Sequence, residues 1–265
     1  MYDFSRCKLC CEQTAAVKYK LRQMQLFTCA NCDFHFIDAL DEFPDEQPDA
    51  NLLSEKARSF IEKQLPQNGI QLGKNLQFVK AHIDPSGKQC LDIGSGAGQF
   101  LFFLQDQGAL PQGIEPQQIF REFAQQKYQL RLRPELVDAP HWQNKFASYF
   151  DFVTLWDTLE HVNFPVETLK ATSQLIKPGG LLFLDTPSRD SFFYRASEWS
   201  YRLSGGTKPA LLNRFYSAKP FRHKQLFTGV QLTKLLENSG FTDIKRSALH
   251  KSKNKLVVVC RKSAQ

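Results

Sequence analysis

LDIGSGAGQF, residues 91–100, decides the fold. The apolar run CLDIG that enters it reads as a buried strand, and QFLFFLQDQG that leaves it reads as a helix. Between them, Gly94, Gly96 and Gly98 permit a tight turn and let a ligand lie against the backbone, with the next helix offering its N-terminus. Such a turn also opens nicotinamide dinucleotide folds, or serves only to join strand to helix. The spacing here is G-x-G-x-G rather than G-x-G-x-x-G, and Asp92 stands just ahead of the turn, where a carboxylate repels a pyrophosphate and suits a cation. Glu115 ends a second strand over residues 112–116, where a carboxylate can accept hydrogen bonds from ribose hydroxyls.

Outward from that turn, short apolar runs alternate with amphipathic ones. QGIEP, FDFVTLW and LLFLDTP read as strands, QQIFREFAQQKY and VETLKATSQLI as helices. The alternation predicts an α/β domain with a parallel sheet covered on both faces. Upstream, residues 52–65 and 72–83 read as two helices, the second stopping at Asp84-Pro85. With 265 residues and 42% hydrophobic content, the chain can bury one full core and still hold a small accessory module.

Four motifs in order, LDIGSGAGQF, GIEP (113–116), FDFVTLWDTLEHV (150–162) and LIKPGGLLFLDTPS (175–188), closely resemble those of class I S-adenosylmethionine-dependent methyltransferases, a Rossmann-like doubly wound fold. The resemblance implies S-adenosyl-L-methionine as cofactor. Carried over by position, it puts Gly94, Ser95 and Gly96 against the methionyl and ribose portions, with Asp92 and Gly98 flanking them in the same turn. It gives Glu115 the ribose hydroxyls, sets Pro116 and Gln117 beside the adenine and makes Asp138 a further adenine candidate. Trp156 and Asp157 would line the cofactor and acceptor pocket.

A second signal lies upstream, in Cys7-x-x-Cys10 and Cys29-x-x-Cys32, two knuckles with 18 residues between them. Four thiolates so spaced can close a tetrahedral zinc site, and a closed set leaves no position for catalysis, so the zinc is expected to be structural. Cys11 breaks the knuckle register, and Cys90 and Cys260 sit in apolar runs as core residues. An odd total of seven cysteines without an export signal fits a reducing cytoplasm better than a disulfide framework. The acidic, proline-containing stretch 38–50 reads as a linker. It divides a zinc-ribbon module, 1–50, from a methyltransferase domain, 51–265. A zinc ribbon ahead of this core resembles bacterial enzymes that methylate nucleotide-linked sugars or related envelope and secondary-metabolite intermediates. Residues 221–244 are similar to a family segment in which a His-containing turn precedes a helix ending in Ser-Gly-Phe. That family usually carries Leu, an aromatic and a small hydroxyl residue after the His; here His223 is followed by Lys224, Gln225, Leu226, Phe227 and Thr228.

The net charge of +7 is unevenly spread, because residues 189–265 carry 16 Lys+Arg against 4 Asp+Glu. Within them, residues 189–225 mix aromatic and basic side chains, 8 Lys+Arg against 2 Asp+Glu, and read as an acceptor lid. The same composition suits a structural cap with solvated charges or peripheral membrane contact. No run of eighteen apolar residues is present, so no transmembrane segment is expected. Since the cofactor's methyl is already activated, the protein must align a nucleophile and, where needed, take its proton. His161 and His223 are the base candidates, with Asp157 and Glu160 as alternatives. The expected function is methyl transfer to a small, anionic acceptor. The alternatives are an RNA methyltransferase, against which the acidic zinc segment speaks, and a non-catalytic zinc-ribbon adaptor, against which the intact cofactor motif speaks.

Overall fold

The computed structural model describes residues 2–42, 53–247 and 254–264. Most of the acidic linker, from residue 43 onward, lies outside them. Ten strands and seven α-helices are described, arranged around two sheets. The larger sheet is built from β4 (Gln89–Ile93), β5 (Leu110–Ile114), β6 (Phe150–Leu155), β7 (Ile176–Pro187), β9 (Phe241–Arg246) and β10 (Lys255–Lys262), in the order β5-β4-β6-β7-β10-β9. β4 through β7 are parallel, as the alternation of runs predicted. β10 departs from that expectation, pairing antiparallel with both β7 and β9, so the sheet is mixed. A hairpin-like return from β9 needs no crossover helix, which is why the last pair inverts.

α1 (Glu55–Lys80), α2 (Gln99–Asp106), α3 (Gln118–Tyr128), α4 (Pro140–Lys145) and α5 (Pro165–Leu175) cover this sheet. The two helices expected before residue 84 are a single one, α1, which runs through Pro66. One missing N–H and two nearby glycines are not enough to end a helix whose Phe78 and Val79 are buried against Phe100, Phe152 and Phe183. A third strand after β5 is reduced to an isolated bridge between Ile114 and Arg133, since Pro134 follows at once and removes the next donor.

The smaller sheet takes β1 (Ala15–Lys20), β2 (Gln25–Cys29) and β3 (His35–Ile37) from the N-terminal module, and its last strand, β8 (Gln225–Leu226), from the far end of the chain. α6 (Phe192–Leu203) lies on this sheet, and α7 (Gly229–Asn238) follows β8. His35 is buried and its Nδ1–H donates to the Tyr194 hydroxyl at 2.7 Å, while Lys18 Nζ donates to its Nε2 at 2.9 Å. Burial, with Arg189 and Lys18 nearby, pulls the His35 pKa down to about 3, so the ring is neutral and holds one tautomer. Tyr194 in turn meets the Tyr216 hydroxyl at 2.8 Å. The module and the helix are thus joined by a buried polar network.

A second junction sits at Asp41. Its Oδ1 lies 2.8 Å from Lys224 Nζ with both side chains buried, its Oδ2 accepts from the Phe221 amide at 2.7 Å, and its backbone exchanges two hydrogen bonds with the Asn163 side chain. Removing one member of a buried pair leaves the other charge uncompensated. Lys224→Ala is therefore expected to lower stability by about 3–5 kcal/mol, and adding Asp41→Asn to recover part of that loss. Urea unfolding checks this, and an unmoved midpoint for Lys224→Ala would overturn it.

Candidate active site

A cavity of about 440 Å³ opens beyond the C-terminal ends of β4, β5 and β6, where open α/β sheets bind ligands. Gly94 and Gly96 form one wall. At Gly94, φ is +77° and an added Cβ would stand 2.4 Å from Thr158 Oγ1, so both the conformation and the space demand glycine. Gly98, at φ +78°, caps α2 and faces Ala124 instead of the cavity. Ser95 turns inward, its hydroxyl donating to the Asp92 carbonyl at 2.8 Å. Asp92 itself is buried beneath the turn, where Thr154 donates to its carboxylate at 2.5 Å. Burial pushes the Asp92 pKa up to about 7 against the pull of Thr154 and Ser95. Asp92, Ser95 and Gly98 shape the turn from outside the cavity wall: Asp92 faces Thr154 of β6, Ser95 bonds back to the strand and Gly98 meets Ala124.

Glu115 lines the cavity and does more than the sequence implied. Its Oε2 accepts from the Gly96 amide at 2.7 Å and its Oε1 from the Gln117 amide at 2.9 Å. One carboxylate therefore ties the glycine turn of β4 to the start of α3. Burial raises its pKa and the two amides oppose the rise. Pro116, Gln117 and Asp138 share the cavity with it, joined by Phe120, which the sequence reading missed because it looks like an ordinary apolar helix residue. Trp156, expected in the pocket, is turned the other way: buried in the core, it packs edge-on to Phe100 with centroids 5.5 Å apart. Asp157 takes the opposite side and does line the cavity. Its backbone is left-handed at φ +47°, its amide donates to Asp185 Oδ1 at 2.6 Å, and its carboxylate pairs with Lys255. Lys255 also reaches Asp185 at 3.2 Å; burial favours its neutral form, but the two carboxylates win and raise its pKa. Burial and Asp157 push the Asp185 pKa up to about 6.

The two histidines come together. His161 lines the cavity and His223 stands behind it, ring centroids 4.8 Å apart. Between them and the core, Glu160 is fully buried, 3.8 Å from His161 Nε2 and 3.9 Å from His223 Nε2. Among the described residues its carboxyl oxygens have no hydrogen-bond partner. Burial and the neighbouring Asp157 hold its pKa well above the usual range, so it is a neutral acid. Burial, then His223, lower the His161 pKa to about 4, and burial lowers that of His223. His223 Nδ1–H donates to the Phe215 carbonyl at 3.2 Å, which leaves Nε2 as its basic nitrogen. The three ligand atoms lie within 4.8 Å of one another, a set that can also hold a divalent ion.

Among the described residues, five carboxylates, those of Asp41, Glu115, Asp138, Asp157 and Glu167, line the cavity, and no Lys or Arg does. Of residues 189–225 only Phe221 reaches it. The expected lid helix sits on the N-terminal sheet, because Tyr194, Ser197 and Tyr201 are buried there. The anionic-acceptor expectation finds no support in this arrangement: the exposed cations of α6 lie off the cavity, and the two lysines that come near it, Lys224 and Lys255, are paired with the carboxylates of Asp41 and Asp157.

In the N-terminal module, Cys7, Cys10, Cys29 and Cys32 bring their sulfurs within 4.8 Å of one another, with Cys7–Cys32 at 3.6 Å and Cys10–Cys29 at 3.5 Å. A tetrahedral Zn–S distance of about 2.3 Å requires sulfur separations of roughly 3.8 Å, so the set fits such an ion with little movement. The Leu9 amide donates to Cys7 Sγ at 3.3 Å, support that a thiolate uses.

The sequence matches the family described as "Methyltransferase domain" over residues 62–246. The chain belongs to that family. It is 32% identical over 118 residues to the ubiquinone biosynthesis O-methyltransferase of Coxiella burnetii (strain Dugway 5J108-111), covering 43% of this chain and 50% of that protein. To its counterpart from Thiobacillus denitrificans it is 32% identical over 126 residues, covering 45% and 53%. The chain thus spans about half the length of the curated relatives it matches. A solved S-adenosylmethionine-dependent methyltransferase from Thermotoga maritima, described as a possible histamine N-methyltransferase, shares the fold. Its TM-score is 0.53 at 19% identity, over 79% of this chain and 98% of that one.

Glu115→Ala in this methyltransferase domain should weaken S-adenosylmethionine binding by about tenfold or more, since it removes a charge-assisted acceptor and orphans two amides of the turn. Calorimetry measures it, and an unchanged affinity would count against the assignment. Metal analysis of reduced protein should find one tightly held zinc per chain, lost in a Cys29→Ser variant; metal-free protein that melts like the loaded form would sink this.

Proposed function

We propose that this protein transfers the methyl group of S-adenosylmethionine to a hydroxyl of a small, uncharged and largely apolar acceptor. The observation that carries the reading is one cavity that joins the glycine turn and Glu115 to the neutral imidazole of His161. Gly94, Gly96, Glu115, Pro116, Gln117 and Asp138 form the cofactor end of it, and Asp157, His161, Phe164 and Phe221 the acceptor end. The cofactor supplies a methyl already activated by a sulfonium, and a wall with five carboxylates, of which Lys224 and Lys255 pair with only Asp41 and Asp157, suits that positive charge. The same wall disfavours phosphates, which speaks against nucleotide-linked sugars and RNA alike. Relatives named as O-methyltransferases support a hydroxyl as the accepting group.

His161 accepts the hydroxyl proton in this reading, and His223 together with the neutral Glu160 acts as a positioning pair behind it. The four-cysteine cluster is a structural zinc site. Residues 1–50 form the ribbon and linker, 51–265 the catalytic domain, and the 221–223 end of the C-terminal segment closes the acceptor end.

A base must be neutral to act, so activity is present above its pKa and falls as pH drops through it. With His161 lowered to about 4, the acid limb of kcat/KM for phenolic acceptors should lie near 4 and not near the ordinary 6.5. His161→Ala should cost about 10²–10⁴-fold in kcat while cofactor affinity stays constant. Full turnover by His161→Ala, or turnover of nucleotide-linked sugars but not of neutral phenols, would overturn the reading.

A further inference from the structure

Helix α6 has two opposed apolar faces. One, made of Tyr194, Ser197 and Tyr201, is buried against the N-terminal sheet. The other carries Phe192, Trp199 and Leu203, which are 77%, 68% and 74% exposed, with Phe193 beside them at 64%. Positions i, i+7 and i+11 fall on one stripe of an α-helix, and this stripe lies roughly opposite the buried one. A solvated cap has no use for it, because its large side chains gain nothing there.

Charge says what covers it. Arg195 and Arg202, also seven residues apart, run along one flank of the stripe, and both are exposed. Of the segment's two carboxylates, Glu198 pairs with Lys18 at 3.1 Å and accepts from Tyr19, while Asp190 accepts from the Gly229 amide at 2.7 Å and lies 3.9 Å from Arg195, an exposed pair that solvent screens and that leaves the flank net positive. Lys208 and Arg214 continue the exposed cations beyond the helix. The face is preformed, since the His35–Tyr194–Tyr216 network and the Ser191 cap fix the helix. Among the described residues no helix is long and apolar enough to cross a membrane.

We propose that this outer face of α6 docks the protein on a bilayer surface containing anionic phospholipids. Phe192, Trp199 and Leu203 enter the interface, and Arg195, Arg202 and their neighbours pair with phosphate headgroups. An apolar stripe edged by cations matches a layer whose apolar interior is covered by negative charge. None of these residues lines the cavity, so docking and catalysis separate.

The test uses the full chain and phosphatidylcholine vesicles with and without phosphatidylglycerol. Trp142 and Trp156 are buried, so Trp199 reports on the surface. Its emission should shift to the blue, and the protein should float, with the anionic vesicles only. Each cation near such a surface contributes about fivefold to partitioning, so Arg195→Glu with Arg202→Glu should reduce it on the order of 25-fold or more, as raised salt should in part. Phe192→Ser with Leu203→Ser should abolish it while melting temperature and cofactor affinity hold. Three results would each overturn the proposal: no binding of wild-type protein to anionic vesicles, binding that survives both double variants, or a blue shift that rises with protein concentration in the absence of lipid, which would mark the face as a contact between two copies.

Discussion

A buried carboxylate at Asp41 draws three distant segments to one point. The N-terminal module ends on it, the loop after β6 reaches it through Asn163, and the C-terminal segment reaches it through Lys224 and the Phe221 amide. Burying two charges is costly, and the cost is offset only because each is fully matched: Lys224 also donates to the Lys219 carbonyl at 2.7 Å. Asp41, Asn163 and Phe221 are at the same time cavity-lining residues. The clasp that holds the molecule together is therefore the rim of its binding site, and anything that loosens one loosens the other.

Electrostatics here is a matter of where charge points, not how much there is. A chain of net charge +7 encloses a cavity walled by carboxylates. The cations of its C-terminal third decorate α6 and the surface beyond it. Summed charge along a sequence could locate the basic segment but not its outward direction, since that depends on Tyr194, Ser197 and Tyr201 claiming the inward face.

Much of the α/β sheet was legible in the sequence because β4, β6 and the second half of β7 are largely buried and read as apolar runs closed by turn residues, whereas β5 is a partly exposed edge strand. The glycine turn, Glu115 and the paired cysteines were legible because each restricts residue type at fixed spacing: the turn through its backbone, Glu115 through the two amides its carboxylate accepts from, and the cysteines through the closeness of their sulfurs. What escaped were features set by long-range contact. Trp156 and Asp157 are neighbours just past the end of β6, and the left-handed turn at Asp157, with its amide on Asp185, decides which of them faces the cavity. Glu160 draws its neutral state from the core around it, and Lys255 acquires its role only when β10 comes to lie against β7. Pro66 misleads, since packing sustains a helix through it.

Strand β8 is two residues long, yet Gln225 and Leu226 complete a sheet begun at Ala15. Gln225 also reaches back, its Nε2 donating to the Leu159 and Val162 carbonyls at 3.0 and 2.6 Å. On a ribosome, the cysteine-bearing hairpin emerges long before this strand. Until it arrives, β3 is an open edge and Phe34 lacks the ring of Phe227, 5.1 Å away in the finished protein. Closing so long a loop is slow. The two ends of the chain must mature together, and a product truncated before Gln225 would lack the strand that finishes its own beginning.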